Sequence, residues 1–471
     1  MYKRFLQILI GTVCCTLVAA QDFDLQTMSE TDILGSARYV GMAGAMTAVG
    51  GDESAVRDNP AALGVFRRSA VSVSLNWQTE RAQSSLFSYK ESIFRCPHFA
   101  IIFSFGNPQR YNGAIFNNLM FSYQRLKSFS RHSIYSGSFG TSLIQQVADI
   151  TNSNPNNGTI QSQLYSDWDL YNNPEIGWLS VLFAKEGLIT EKDGKWFAID
   201  GTPTYSELEL QESGGVDMYD FSWGINISNR WYIGLGANLM SLTYGKTSYY
   251  YEEFSRAGVI DHYLLTSTLN VSGLGFMGNI GVIYTPLSSV RLGLSWQSPT
   301  IYSMKFSNHS TTDLKETPVN SFTYNKYLTP MRGTAGVAFC FGRYGLLSAQ
   351  YEYTHQFDRT ISDVHTIKAG FEIVVSDRLF LRGGYAYEFN NMRSTLMPRY
   401  NDTRTDTEFR RSRRTHYITA GIGYRGRYVY TEIAYRYRRN SDNLYAFAYQ
   451  SEPFRTLNYN HAVVFSIGLH N

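Results

Sequence analysis

The sequence predicts an all-β protein, a 14-stranded antiparallel transmembrane β-barrel with an N-terminal hatch, or plug, inside its lumen. Three observations predict it. From residue 69 onward apolar and polar residues alternate with a period of two, tight turns alternate with longer polar loops, and a segment rich in glycine and alanine precedes the first strand. Alternating strands of about nine to eleven residues cross a bilayer when they are tilted.

The composition excludes several other classes of protein. Aromatic residues are 15% and charged residues 17% of the chain, which is too aromatic and too weakly charged for a disordered protein. After the N-terminus, no apolar run reaches the roughly 18 residues of a transmembrane helix. The formal net charge of +3 is far from the basic excess that neutralises phosphates, so we expect no nucleic-acid partner.

Residues 1–20 have the three parts of an export signal in order. Lys3 and Arg4 form the positive end, residues 5–18 are mostly apolar, and Val18-Ala19-Ala20 supplies small residues for cleavage. An anchoring helix is the alternative, but about fourteen residues rise only about 21 Å, less than the hydrocarbon core. We therefore expect a mature chain that begins at Gln21.

Residues 21–68 are predicted to form the hatch. Small residues dominate this segment and the period of two is absent. Gly41 and Gly44 permit tight turns and close packing, and Asn59-Pro60 fixes an extended or turn conformation. The pattern favours a compact plug over a loose periplasmic tail.

Residues 69–471 are predicted to form the barrel, with a long extracellular loop at 128–216. In one strand Ile367, Phe371 and Ile373 share a face, whereas Lys368 and Glu372 share the other. Tight turns are predicted at 106–113, 229–230, 286–289, 342–343, 376–378 and 425–427. With seven loops they make thirteen connections, which join fourteen strands and place both chain ends in the periplasm. A soluble sandwich or propeller does not require such alternation.

The inward face of the predicted strands carries charges of both signs. Such charges can pair across neighbouring strands, either in a packed polar interior around a plug or in the wall of a water-filled pore. The inward charged residues are Arg291, Glu352, Lys368, Glu372, Arg382, Glu388, Glu432 and Arg436.

One motif in the hatch resembles a known family. The pattern is Ala37-Arg38-x-x-Gly41-Met42-x-Gly44-Ala45, then Asp52-Glu53-x-Ala55, then Asn59-Pro60-Ala61. It is similar to the hatch of the FadL/TodX family of outer-membrane transporters for long-chain fatty acids and other hydrophobic compounds. The resemblance covers the hatch by motif and the remainder by architecture. It implies ligand capture at the outer surface and sideways release through a gap in the wall, with Asn59, Pro60 and Ala61 in the moving hatch.

The loop 128–216 is the candidate for ligand capture. Asn173 is a predicted helix N-cap, Pro174 a first-turn residue and Gly187 a stop. Four apolar side chains of this helix are the candidate ligand-binding residues, in either a greasy groove or a lid packed on the barrel rim; they are Trp178, Leu179, Leu182 and Phe183.

Two neighbouring segments complete this region. Residues 142–150 are a second apolar stretch that can pair with the helix. The Asn-rich run 151–157 between them is interpreted as a flexible hinge.

Other functions find less support in the sequence. The nine histidines are scattered and form no motif with a nucleophile, so we expect no enzyme, no cofactor and no metal site. Haemin-receptor-type uptake through loop histidines, and a non-transport barrel that anchors secretion or surface-protein assembly machinery, are the alternatives to transport. Cys96 and Cys340 are expected to be free buried thiols at opposite ends of the barrel.

The expected partners follow from this topology. They are hydrophobic small molecules, outer-membrane lipids including lipopolysaccharide, and the barrel-assembly machinery, with the protein itself a monomer. A basic loop at 391–413 is either a lipid A phosphate site or a solvated loop; its arginines are Arg393, Arg399, Arg404, Arg410, Arg411 and Arg413. Many outer-membrane strands end in an aromatic residue, whereas this chain ends Leu469-His470-Asn471.

Overall fold

The computed structural model describes residues 27–83, 88–110, 112–164, 170–255, 260–315, 319–357, 363–389 and 404–471. The predicted export signal lies outside these residues. The helices are α1 (Ala37–Gly41), α2 (Leu143–Ser153), α3 (Asn157–Gln163) and α4 (Trp178–Glu186), with 3₁₀ helices at Ser54–Val56, Pro60–Val65 and Leu170–Asn172. No helix of the described chain is long and apolar enough to cross a membrane.

The strands up to the middle of the chain are β1 (Ala70–Gln83), β2 (Ser88–Gly106), β3 (Ala114–Ser128), β4 (Arg131–Gly137), β5 (Ile189–Lys192), β6 (Lys195–Ala198), β7 (Tyr205–Ile227), β8 (Trp231–Glu253) and β9 (His262–Leu287). The remaining strands are β10 (Val290–Gln297), β11 (Ile301–Thr312), β12 (Val319–Leu328), β13 (Met331–Cys340), β14 (Gly345–His355), β15 (Val364–Ser376), β16 (Leu379–Phe389), β17 (Phe409–Arg425), β18 (Val429–Tyr445) and β19 (Phe454–His470).

These strands form one closed antiparallel barrel. β3 and β4 are two parts of one wall strand, because both pair with β7, and β10 and β11 are likewise two parts of one strand beside β9. β12 and β13 continue one another opposite β11 and β10. β1 pairs with β19 and closes the cylinder. The predicted fourteen wall strands are confirmed; β5 and β6 form a separate hairpin in an outer loop.

The predicted alternation is present in the strands. Along β15 the side chains alternate between buried and exposed, with Ile367, Phe371 and Ile373 on the exposed outer face and Lys368 and Glu372 buried inside. The outer face of the other strands is also rich in exposed leucine, isoleucine, phenylalanine and tryptophan. Such a belt is the lipid-facing surface of an outer-membrane barrel.

The predicted turns lie where strands meet, but several strands are longer than the sequence indicated. The loop expected at 128–216 is shorter, since β4 and the first part of β7 continue the wall into it. β8 and β9 have 23 and 26 residues and reach far beyond the membrane. Leu208 and Leu210 keep the period of two there, with buried side chains, while polar residues on the other face make the segment resemble a loop.

Candidate functional site

Asn59, Pro60 and Ala61 begin a 3₁₀ helix on the inner wall of the barrel. Asn59 is its N-cap, and its Oδ1 accepts a hydrogen bond of 3.0 Å from the Ala61 amide, while Pro60 occupies the first helical turn. The Asn59 amide group donates to the Thr47 carbonyl at 2.8 Å. Asn59 therefore connects two parts of the hatch, and its side chain is fully buried.

The barrel wall receives the hatch on inward-facing glycines. A Cβ on Gly234 would lie 2.1 Å from the Pro60 carbonyl carbon, and one on Gly281 would lie 1.8 Å from Asn59 Oδ1. Both distances are far below van der Waals contact, so only glycine fits. The glycines at which an added Cβ would approach a hatch atom closer than 3.0 Å include Gly224, Gly234, Gly281, Gly293, Gly370 and Gly384.

Gly41 and Gly44 lie in the part of the hatch that faces β16 and β17. Gly44 has φ of +70°, and a side chain there would meet the Tyr39 ring. Gly41 contacts the wall backbone, and its carbonyl accepts a 2.9 Å hydrogen bond from Thr419 of β17. The two glycines thus differ, since Gly44 permits a left-handed turn, whereas a Cβ at Gly41 would lie 3.5 Å from the wall, an ordinary van der Waals contact.

Buried ion pairs also join the hatch to the wall. Arg38 contacts Glu372 at 2.9 Å, and Asp32 contacts Arg436 and Arg438 at 3.0 Å each. Burial alone would raise the pKa of Asp32, but the two arginines hold it well below its ordinary value. Rearrangement of the hatch must therefore separate or carry along charges that have no access to water.

Five of the eight inward charges pair with one another within the wall, as the sequence predicted, whereas Arg436 pairs with Asp32 of the hatch and Arg291 donates to the Val49 carbonyl. Lys368 lies 2.9 Å from Glu352 on the neighbouring strand. Arg382 bridges Glu372 at 2.7 Å and Glu432 at 2.9 Å. These groups are all buried, so this part of the lumen is a packed polar interior around the hatch.

A cavity of about 100 Å³ lies inside the barrel beside the hatch. An engineered apolar cavity that binds benzene measures about 150 Å³, so this smaller space must expand to hold a whole apolar ligand. The apolar side chains that line it are Met28, Leu126, Val216, Met218, Met240, Met277, Tyr302, Pro330 and Val364. Its polar lining includes Arg57, whose Nη1 is buried with no hydrogen-bond partner among the described residues. The cavity therefore has a flexible, methionine-rich side and a polar side that includes Glu30, Arg57, Arg332, Glu352 and Glu388.

The wall has a gap in backbone pairing between β2 and β3–β4. β2 pairs with β3 only from His98 to Gly106, although it continues along β1 as far as Ser88. Pro97 has no N–H and stands where the ladder ends. Within the described residues, side chains bridge the gap: Arg95 donates to Ser128 and, at 3.1 Å, to Ser130.

The first described residues of the hatch separate the methionine-lined cavity from a smaller polar cavity of about 40 Å³ behind this gap. Glu30 and Thr31 line both cavities. Glu30 forms an ion pair of 2.5 Å with Lys127 of β3, and Thr31 accepts a 3.1 Å hydrogen bond from Arg332. This segment is thus a partition, held at two points, between the cavity and the wall gap.

A further cavity of about 430 Å³ opens at the periplasmic end of the hatch, where Asp52 and Glu53 face several arginines. The Glu53 carboxylate accepts a 2.6 Å hydrogen bond from Tyr430. Burial, together with the neighbouring Asp52, raises the pKa of Glu53 to about 7. Glu53 therefore changes charge near neutral pH at the periplasmic end of the hatch.

The four candidate ligand-binding residues belong to a closed extracellular cap. Trp178, Leu182 and Phe183 are buried in an apolar cluster with α2 and the rim strands, and Leu179 packs against it. They do not line an open groove. Their position is that of a lid packed on the barrel rim, the second of the two predicted alternatives. Contact with ligand at these residues requires the cap to open, and that role stays a prediction.

Two details of this region differ from the sequence prediction. α4 begins after Gly177 rather than at Asn173, whose side chain instead accepts from the Glu175 amide in a turn; Gly187, with φ of +80°, ends the helix as expected. The Asn-rich run is no free hinge, because Asn152 and Asn154 donate hydrogen bonds to the carbonyls of Trp196 and Glu175. Amide side chains that find backbone partners hold this connection in place.

The basic loop and the cysteines also need correction. Arg410 bonds Glu212 at 2.9 Å and Arg404 pairs with Asp406, so both are engaged within the barrel mouth. Arg393 and Arg399 lie outside the described residues, and the Arg413 side chain is also not described. Cys96 and Cys340 are free, as expected, but Cys96 is exposed and Cys340 half-buried, so the expectation of burial was wrong.

No protein-family profile and no curated protein matches this chain. Several solved structures, in contrast, are similar to this chain over most of its length. A Pseudomonas aeruginosa FadL homologue is similar with a TM-score of 0.55 at 10% identity over 93% of this chain and 99% of that chain. The Pseudomonas putida toluene transporter TodX gives 0.53 at 12% identity, over 93% and 99%. The Ralstonia pickettii toluene transporter TbuX gives 0.52 at 12% identity, over 94% and 99%. The chain thus shares the fold of FadL- and TodX-type barrels.

Proposed function

We propose that this chain is an outer-membrane channel of the FadL/TodX type, which passively takes up hydrophobic small molecules such as long-chain fatty-acid-like ligands. The observation that carries the proposal is the cavity inside the barrel, one side of which is apolar and rich in methionine. A water-filled pore gives an apolar solute no favourable site, whereas apolar burial in such a cavity does. The shared fold supports the same proposal.

The proposed route begins at the cap. An apolar ligand meets Trp178, Leu179, Leu182 and Phe183 when the cap opens, and then occupies the methionine-lined cavity. Release requires the partition at Glu30 to move, which joins the cavity to the wall gap and lets the ligand leave sideways into the membrane. No covalent chemistry is involved.

The hatch gates this route. Asn59, Pro60 and Ala61, with Gly41 and Gly44, lie in the hatch that is packed inside the wall, and rearrangement of this segment is the proposed gating step. The Asn59 contacts to Thr47 and Ala61 and the glycine contacts of the wall are the interactions that this step must break or slide.

Equilibrium binding of radiolabelled oleate and toluene to the purified barrel tests the cavity. A Met218→Gln/Met240→Gln variant keeps side-chain size but buries amides without partners, so we expect about tenfold weaker binding. The Met218→Leu/Met240→Leu variant is the matched control and should bind nearly as the parent does. Equal binding by both variants, with the barrel fully assembled, would contradict the assignment of the cavity.

Mass spectrometry of the barrel extracted in mild detergent addresses the alternative. A co-purified apolar molecule that the Gln variant loses supports transport. A barrel without such a molecule, which instead retains a stoichiometric protein, favours an anchor for secretion or surface-protein assembly. The lipopolysaccharide contact, insertion by the assembly machinery and the monomeric state stay predictions.

A further inference from the structure

The periplasmic rim of the barrel is rich in arginine. Five of the six short turns that join strands at this end contain an exposed arginine; these arginines are Arg110, Arg230, Arg343, Arg378 and Arg427. All five side chains are exposed. Asp377 is the one acidic residue in the sequence of these turns. Within the described residues, none of the five arginines has an ion-pair partner, so this rim presents uncompensated positive charge.

Three of these arginines contact aromatic side chains on the outer surface. Arg343 lies over the Tyr344 ring at 5.3 Å, and Arg427 lies over the Tyr428 ring at 5.2 Å. Arg378 donates a 3.3 Å hydrogen bond to the Tyr424 hydroxyl. Tyr344, Tyr424 and Tyr428 are all highly exposed. Exposed tyrosines at the end of barrel strands form the girdle at headgroup depth.

The three turns are also neighbours on the rim. They join β13 to β14, β15 to β16 and β17 to β18, and these strands are consecutive in the wall. Neighbouring strands lie about 4.8 Å apart, so successive turns are roughly 10 Å apart. The guanidinium groups therefore form a short arc that follows the membrane surface.

We propose that Arg343, Arg378 and Arg427 bind anionic phospholipid headgroups in the periplasmic leaflet of the membrane. Guanidinium groups bind phosphate oxygens through paired, charge-assisted hydrogen bonds. The contacts with outward-facing tyrosines hold the three arginines at the lipid-facing side of the rim rather than over the lumen. A lipid surface therefore fits this arc better than a soluble acidic protein, which would approach from the periplasm rather than from within the membrane.

Native mass spectrometry tests the proposal on the full barrel released from nanodiscs with equal amounts of phosphatidylglycerol and phosphatidylethanolamine of the same acyl chains. We expect about fivefold enrichment of phosphatidylglycerol among the bound lipids, since one basic residue near a membrane surface contributes about that factor. The Arg343→Gln/Arg378→Gln/Arg427→Gln variant should lose the enrichment.

A matched control removes three exposed arginines from the extracellular ends of the strands, namely Arg414, Arg439 and Arg455. Their replacement by Gln changes the net charge equally and should leave the enrichment intact. Equal lipid preference in the rim variant and the control would overturn the proposal. If the Gln variant assembles poorly, the Arg343→Lys/Arg378→Lys/Arg427→Lys variant and a salt titration of the parent protein replace it. Enrichment of phosphatidylglycerol that persists in high salt would also overturn the proposal.

Discussion

Gly234→Ala should displace the hatch from the wall. The added methyl group would lie 2.1 Å from the Pro60 carbonyl carbon and 2.4 Å from the Ala61 nitrogen, which are backbone atoms that cannot rotate away. The wall has little freedom to yield, because β8 is paired along its length with β7 on one side and β9 on the other, next to Gly224 and Gly281 at this position. The hatch must therefore move.

Overpacking of this kind costs about 1–3 kcal/mol. If the cost falls on the docked hatch, the population with an undocked hatch rises by about 5- to 150-fold. Hydrogen exchange of the hatch amides measures that population, and single-channel conductance in planar bilayers measures the accompanying ion leak. Both should increase.

Gly278→Ala is the matched control on the neighbouring strand β9. A Cβ there meets only the Gly236 carbonyl, at 3.9 Å, so the substitution adds the same methyl group without touching the hatch. Equal hatch exchange and equal conductance in the two variants would refute the idea that wall glycines hold the hatch. Loss of the assembled barrel in Gly234→Ala alone would show instead that the contact is needed for folding.

Three further predictions follow from the site. Burial raises the pKa of Glu53 from 4.5 to about 7, so the protonated form favours the docked hatch and docking should weaken as the pH rises through this interval. Glu53→Gln should reduce this dependence, measured by hydrogen exchange corrected for intrinsic rates, and leave the part contributed by Asp52, whose pKa is also raised by burial. Arg95→Ala removes the side-chain bridge across the wall gap and should speed release of bound oleate several-fold, with an unchanged rate contradicting the proposed exit. Trp178→Ala/Phe183→Ala should loosen the cap and weaken uptake by cells at equal amounts of folded barrel; normal uptake would exclude these residues from capture.

The barrel was predictable because its signals are local. The period of two in β15 and the turn at Asp377-Arg378 each depend on a few consecutive residues, and fourteen strands follow by counting. The extracellular parts of β7, β8 and β9 were interpreted as loops because their outward-facing residues lie in water, not lipid, and are therefore polar. The sequence then lacks the apolar outer face by which the other strands were recognised.

The cavity was not predictable in the same way. Met28, Met218, Met240 and Met277 come from four separate segments, and their meeting depends on the stagger of the strands. A partial signal existed, because β7 and β8 carry apolar residues on the inward face as well as the outward one. The cap helix had a clearer signal, since a helix apolar on all sides is usually buried.

The glycine contacts also constrain how the molecule is built. The hatch precedes β1 in the chain, and the seam that closes the cylinder joins β1 to β19, the first strand to the last. Hatch backbone packs directly on glycines of the wall from β7 to β16, where a single added methyl group would clash with it. We therefore expect the hatch to be in place before β1 pairs with β19, so that the first and last strands join around a hatch that is already docked.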